Sequence, residues 1–190
     1  MQKPFITDQT YKGEDYSQNR LPQAEYENCI FEGCNFFEGF LDNQNFMECD
    51  FIDCNLSNTN LTNCTFKEVR FSYCKMMGLK FENCNTFLMD FSFKECTLNL
   101  SSFYGLKLNR QNFDNCRLVD VDFSEAELIG CYFKNCDLKG AIFKRTQLEK
   151  ADFTSASNYT IDPENNRLAK AKFAKEGIEG LLTKYRIVIE

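Results

Sequence analysis

Eleven cysteines and a run of carboxylates between Leu21 and Phe66 are the residues of this 190-residue chain whose types and spacing could do chemistry. Clustered thiols bind zinc or pair as disulfides, and paired carboxylates act as general acids and bases. Neither chemistry finds its partners here. The cysteine count is odd, no Cys-x-x-Cys occurs, and there is no His to complete a mixed metal site. There is also no Gly-x-Ser-x-Gly and no phosphate-binding glycine loop. The expectation is a protein without catalysis, metal or cofactor, whose cysteines fill space as small buried thiols.

Their placement explains why. Each cysteine falls two residues before a position that recurs every fifth residue and is almost always Phe, Leu or Tyr. That large slot runs from Tyr11 and Tyr16 through Leu21, Tyr26, Phe31 and so on to Met76 and Phe81. After a slip of two residues it resumes as Leu88, Phe93 and Leu98, and continues to Leu148 and Phe153. A helix of period 3.6 or a strand of period 2 cannot keep every fifth residue on one side. A coil with four short sides can: each five-residue unit makes one side, and the chain returns above itself after 20 residues at about 4.8 Å rise. The large residue and the small one two before it point inward. Asn35, Asp50, Asn55, Asn60, Asn112, Asp122, Asp137 and Asp152 precede the large slot, where turn-forming residues belong.

Residues 20 apart should then stack, and they match: Phe93, Phe113, Phe133 and Phe153 form one column, Phe103, Phe123 and Phe143 another, with leucines between. Sulfur repeats likewise, as in Cys34, Cys54 and Cys74.

The unit Cys136-Asp137-Leu138-Lys139-Gly140 resembles that of the pentapeptide repeat family, and the resemblance covers nearly the whole chain. The opening Glu14-Asp15-Tyr16-Ser17 with Glu25-Tyr26-Glu27-Asn28-Cys29 resembles the Qnr-type quinolone-resistance proteins. Glu68-Val69-Arg70-Phe71 through Cys74-Lys75-Met76, and the tail from Asn158-Tyr159 to Leu181-Leu182, resemble the branch that contains the albicidin-resistance protein. The resemblance implies an all-β, right-handed quadrilateral β-helix, a rod-shaped homodimer joined through its C-terminal ends, and binding to bacterial type II topoisomerases, DNA gyrase or topoisomerase IV.

Net charge is −6, from 22 bases and 28 acids, and no outward basic stripe or aromatic platform suits direct nucleic-acid binding. No segment approaches a membrane span and no basic-then-apolar signal opens the chain, which reads as cytoplasmic. The charge deficit is local. From Leu21 to Phe66 there are eight acids and no Lys or Arg. Glu25, Glu27 and Glu48 fall on one side of the coil and Glu32, Asp50 and Asp53 on the next, so these six wrap one edge. They are the expected partner-binding residues, carboxylates standing where a topoisomerase groove would hold phosphates. Family members proposed to imitate DNA carry such a surface near the dimer centre, whereas residues 154–190 here hold five acids and six bases.

The domain expectation is a β-helix over 1–173, with an outward bulge near 85–88 and a loop near 157–166, then a capping and dimerising segment over 174–190. Ala174 to Lys184 reads as a short helix and Tyr185 to Ile189 as a strand. An open β-helix end exposes strand edges, so a cap is required, and Leu181, Leu182, Tyr185, Ile187 and Ile189 are the expected dimer contacts. The favoured function is topoisomerase binding that protects the enzyme from inhibitors such as quinolones or albicidin. The alternative is an interaction scaffold of the same fold with an unrelated cytoplasmic partner.

Overall fold

The computed structural model describes residues 3–188. By its contacts the chain divides into two units, one ending at Leu98 and the other beginning at Asn99. Each is a parallel β-helix with four sides. In the first unit, β1 (Phe5–Thr7), β3 (Glu25–Glu27), β5 (Asn45–Met47) and β7 (Thr65–Lys67) stack as one side. The next side stacks β2 (Thr10–Lys12), β4 (Ile30–Glu32), β6 (Asp50–Ile52), β8 (Val69–Ser72) and β9 (Phe91–Lys94). Single bridges make the other two, Asp15 to Asn35 to Asn55 to Lys75 to Thr97 and Phe40 to Asn60. In the second unit the strand side holds β10 (Asn112–Asp114), β11 (Tyr132–Lys134), β12 (Asp152–Phe153) and β13 (Lys172–Phe173), and bridges 20 residues apart form the rest.

Three side-chain roles make each corner. The Asx residue before the large slot accepts the N–H two residues on, as Asn55 does from Ser57 at 3.2 Å, Asp122 from Ser124 at 2.8 Å and Asp152 from Thr154 at 3.0 Å, which closes the turn. Two residues past the large slot the backbone adopts left-handed geometry, as at Asn58 (φ 57°), Glu48 (φ 53°) and Lys150 (φ 61°). Asn and Gly accept this geometry readily, whereas Glu and Lys hold it at a cost of about 1–2 kcal/mol. The third role explains the cysteines. Cys54 donates its thiol to the Phe31 carbonyl at 3.2 Å, Cys74 to Phe51 at 3.3 Å and Cys136 to Phe113 at 3.3 Å, each reaching the large residue one coil earlier. Thr59 and Thr146 do the same with hydroxyls to Phe36 and Phe123.

The core is an aromatic ladder. Tyr11, Phe31, Phe51, Phe71 and Phe93 stack at centroid spacings of 4.9, 4.7, 5.1 and 5.5 Å, and Phe113, Phe133, Phe153 and Phe173 at 5.2, 4.7 and 5.1 Å. Outside, the same period aligns ion pairs one coil apart: Lys12 with Glu32, Arg70 with Asp50, Lys107 with Glu127, Lys134 with Asp114, Arg145 with Glu125, and Lys172 with Asp152.

Two expectations are corrected. Leu88 does not fill a core slot: it is 61 % exposed at a left-handed corner (φ 56°), beside Phe87, which is 73 % exposed. Two residues are inserted here, and the loop that absorbs them carries Leu88 outward. Phe91, in what should be a small slot, fills the interior instead, 5.4 Å from Phe81 and 5.1 Å from Phe93. The tail also departs from one helix followed by a strand. It is a 3-10 turn (Lys175–Gly177), α1 (Glu179–Leu182) and a second 3-10 turn (Thr183–Tyr185), and Arg186 is left-handed (φ 51°) with no strand through Val188. Gly177 and Gly180 are the cause. A Cβ at Gly177 would collide with the Tyr159 phenol and one at Gly180 with the Tyr159 carbonyl. Close seating therefore demands glycine at both positions, and glycine is a weak helix former. Ile189 lies outside the described residues.

Candidate partner interface

The corner of the first unit that leads into β4, β6 and β8 is built from Asn28, Glu48 and Glu68, all left-handed (φ 51°, 53° and 54°). Glu25 is exposed and Glu27 half-buried on the side before that corner, and Asp53 (φ 52°) occupies the corner after β6. Glu48, Glu68 and Asp53 stand exposed at left-handed corners, and Glu25, Glu27, Glu48, Glu68 and Asp53 enter no ion pair among the described residues.

Two of the six expected carboxylates are already paired. Glu32 meets Lys12 at 2.8 Å, and Asp50 receives Arg70 through both Nε (2.5 Å) and Nη2 (2.9 Å). The structure thus spreads the six over two adjacent sides and the corners that end them, and leaves four of them unpaired. Glu68 was missed, because the base-free stretch ends at Phe66. Its signal was the 20-residue step from Glu48.

Leu181, Leu182, Tyr185 and Ile187, four of the five expected dimer residues, lie on the cap. Leu181 and Leu182 are half-buried, Tyr185 is 50 % and Ile187 57 % exposed, and Ile178 adds to the same apolar set at 44 %. The cap is strapped to the last coil. Ile161 donates its N–H to the Gly180 carbonyl at 2.9 Å, Lys184 reaches Asp162 and Glu164 at 2.6 Å each, and Tyr185 donates its hydroxyl to Glu164 at 2.8 Å. Those contacts leave the apolar side chains facing out.

All eleven thiols are buried and free. Desolvation pushes Cys34 to about 11 and Cys49, Cys84 and Cys131 to about 12, away from thiolate chemistry at neutral pH, whereas hydrogen bonding with Cys74 lowers Cys54 and Cys96. Among the described residues, no three His, Cys, Asp or Glu side chains converge on a possible metal position, and no helix is long and apolar enough to cross a membrane.

The four-sided coil defines a repeat-built β-solenoid. Residues 19–103 and 106–181 match the pentapeptide repeat region, and the chain belongs to the pentapeptide repeat family. No curated protein sequence matches it. Solved structures do. One is trypsin-treated QnrB1, a plasmid-mediated fluoroquinolone resistance protein, 17 % identical over 97 % of this chain and 92 % of that one, with a TM-score of 0.64. Another is HetL, involved in heterocyst differentiation regulation in the cyanobacterium Nostoc sp. strain PCC 7120, 17 % identical over 90 % of this chain and 83 % of that one, with a TM-score of 0.52.

Proposed function

We propose that this protein binds a bacterial type II topoisomerase, DNA gyrase or topoisomerase IV, in the cytoplasm and shields it from inhibitors such as quinolones or albicidin. The observation that carries the reading is the set of unpaired carboxylates on two adjacent sides and their corners, Glu25, Glu27, Glu48, Glu68 and Asp53. A protein groove that holds DNA is lined with cations, and carboxylates repeating every coil offer it a ladder of negative charge. Protection is by occupancy, without a reaction, and the apolar cap joins two copies. The resistance role of QnrB1 supports the same direction.

The test is supercoiling by purified gyrase at an inhibitory ciprofloxacin concentration, and separately albicidin, across a concentration series of this protein. Rescue at low concentration that is lost on reversing Glu48 and Asp53 to Lys is the expected result. Absence of rescue with either drug favours the second reading, a scaffold for an unrelated partner, to which the likeness to HetL lends support.

A further inference from the structure

The acidic corner has a counterpart of opposite sign in the second unit. There the corner that leads into β10, β11, β12 and β13 holds Arg110, Gly130, Lys150 and Lys170, all left-handed (φ 64°, 68°, 61° and 62°). This is the same phase of the repeat as Asn28, Glu48 and Glu68. Arg110, Lys150 and Lys170 are exposed and enter no ion pair among the described residues. The neighbouring Lys134 and Lys172, by contrast, are tied to Asp114 and Asp152. Residues 1–98 carry 15 acids and 8 bases, residues 99–190 13 acids and 14 bases, so net charge is −7 in one unit and +1 in the other.

We infer that the Arg110, Lys150, Lys170 row docks against the Glu48, Glu68 row of a second copy of this chain, a contact separate from the apolar cap. Charge complementarity alone would admit any polyanion, but spacing selects among them. Lys150 and Lys170, like Glu48 and Glu68, stand one coil apart, about 4.8 Å, so cations and carboxylates of two copies stay in step over two successive layers. Charges along one strand of duplex DNA advance by about 3.4 Å and fall out of step with the row. The protein's own net charge of −6 further opposes a nucleic-acid chain. Twenty residues to either side of Lys150 stand Gly130 and Lys170, so its own column offers no carboxylate and the pairing is left to another molecule.

The test is sedimentation of the full chain at about 50 mM and 500 mM salt, where exposed pairs are strong and screened respectively. A salt-resistant species comes from the apolar cap. The docking predicts further association at low salt only. K150E/K170E and E48K/E68K should each weaken that association by about tenfold, and an equimolar mixture of the two should restore it. K150G/K170G, which removes the charge while suiting the left-handed backbone, guards against misfolding as the cause. Unchanged low-salt association in the variants, or no recovery on mixing, overturns the inference. So does a K150E/K170E variant that loses affinity for a 30-base-pair DNA duplex while self-association is untouched, which would assign the row to nucleic acid.

Discussion

Phe91 packs 5.4 Å from Phe81 in the layer from which Leu88 has left. The five-residue count puts Leu88 in the core there, but the two inserted residues turn it to solvent, and an aromatic ring in a slot that elsewhere holds Cys, Val, Gln or Ala takes up the volume. Phe91 is 2 % exposed against 61 % for Leu88.

Phe91→Ala should therefore leave a cavity beside Phe81 and Phe93 and destabilise the fold by about 3–5 kcal/mol in chemical denaturation. Leu88→Ala, by the repeat count the more damaging change, should stay within about 0.5 kcal/mol. Equal losses would mean that Leu88 packs inward in solution.

The cysteines make a second prediction. Every thiol is buried, so Ellman's reagent at pH 8 should find almost none of the eleven in the native protein and all of them in denaturant. A Cys54→Ala variant should keep the fold with a modest loss, since it removes the Phe31 hydrogen bond but fills the same slot. Rapid native labelling would show that the coils open far more easily than their packing implies.

The coil was legible because its determinants are local and repeat: Cys136, Asp137 and Leu138 state the inward pair and the turn in three residues, and the 20-residue step gives the stacking. What escaped depended on distance. Nothing near Leu88 in sequence says that Phe91 will replace it, and the helix expected over 174–184 failed because Gly177 and Gly180 answer to Tyr159, some twenty residues upstream. The acidic edge was read from Glu25 to Asp53, yet only contacts 20 residues away show that Lys12 and Arg70 neutralise Glu32 and Asp50, while Glu68 extends the row.

The Tyr159 contact sets the cap and hence the proposed dimer. Gly180→Ala would drive a methyl group into the Tyr159 carbonyl and unseat the Gly180 to Ile161 hydrogen bond. The expected outcome is a raised dimer dissociation constant at 500 mM salt with little change in the melting of the coils, read by sedimentation and by circular dichroism. Loss of coil structure at the same time would make the cap part of the folding unit.

The Lys184 strap makes the same seating depend on acid. Hydrogen bonds from Lys184 hold the Asp162 and Glu164 carboxyls below the ordinary carboxylate range. Because both are lower in the folded state than in the released one, the strap contributes fully above the ordinary carboxylate values, near pH 4, and is lost as pH falls through the lowered ones. Protection of the Ile161 amide, bonded to Gly180, should accordingly decline between about pH 5 and pH 3, ahead of amides inside the coils such as Phe123. Lys184→Met should remove most of that decline by releasing the strap at every pH. An Ile161 protection factor that is flat with pH in the unmodified protein would assign the seating to Tyr159 and the glycines alone.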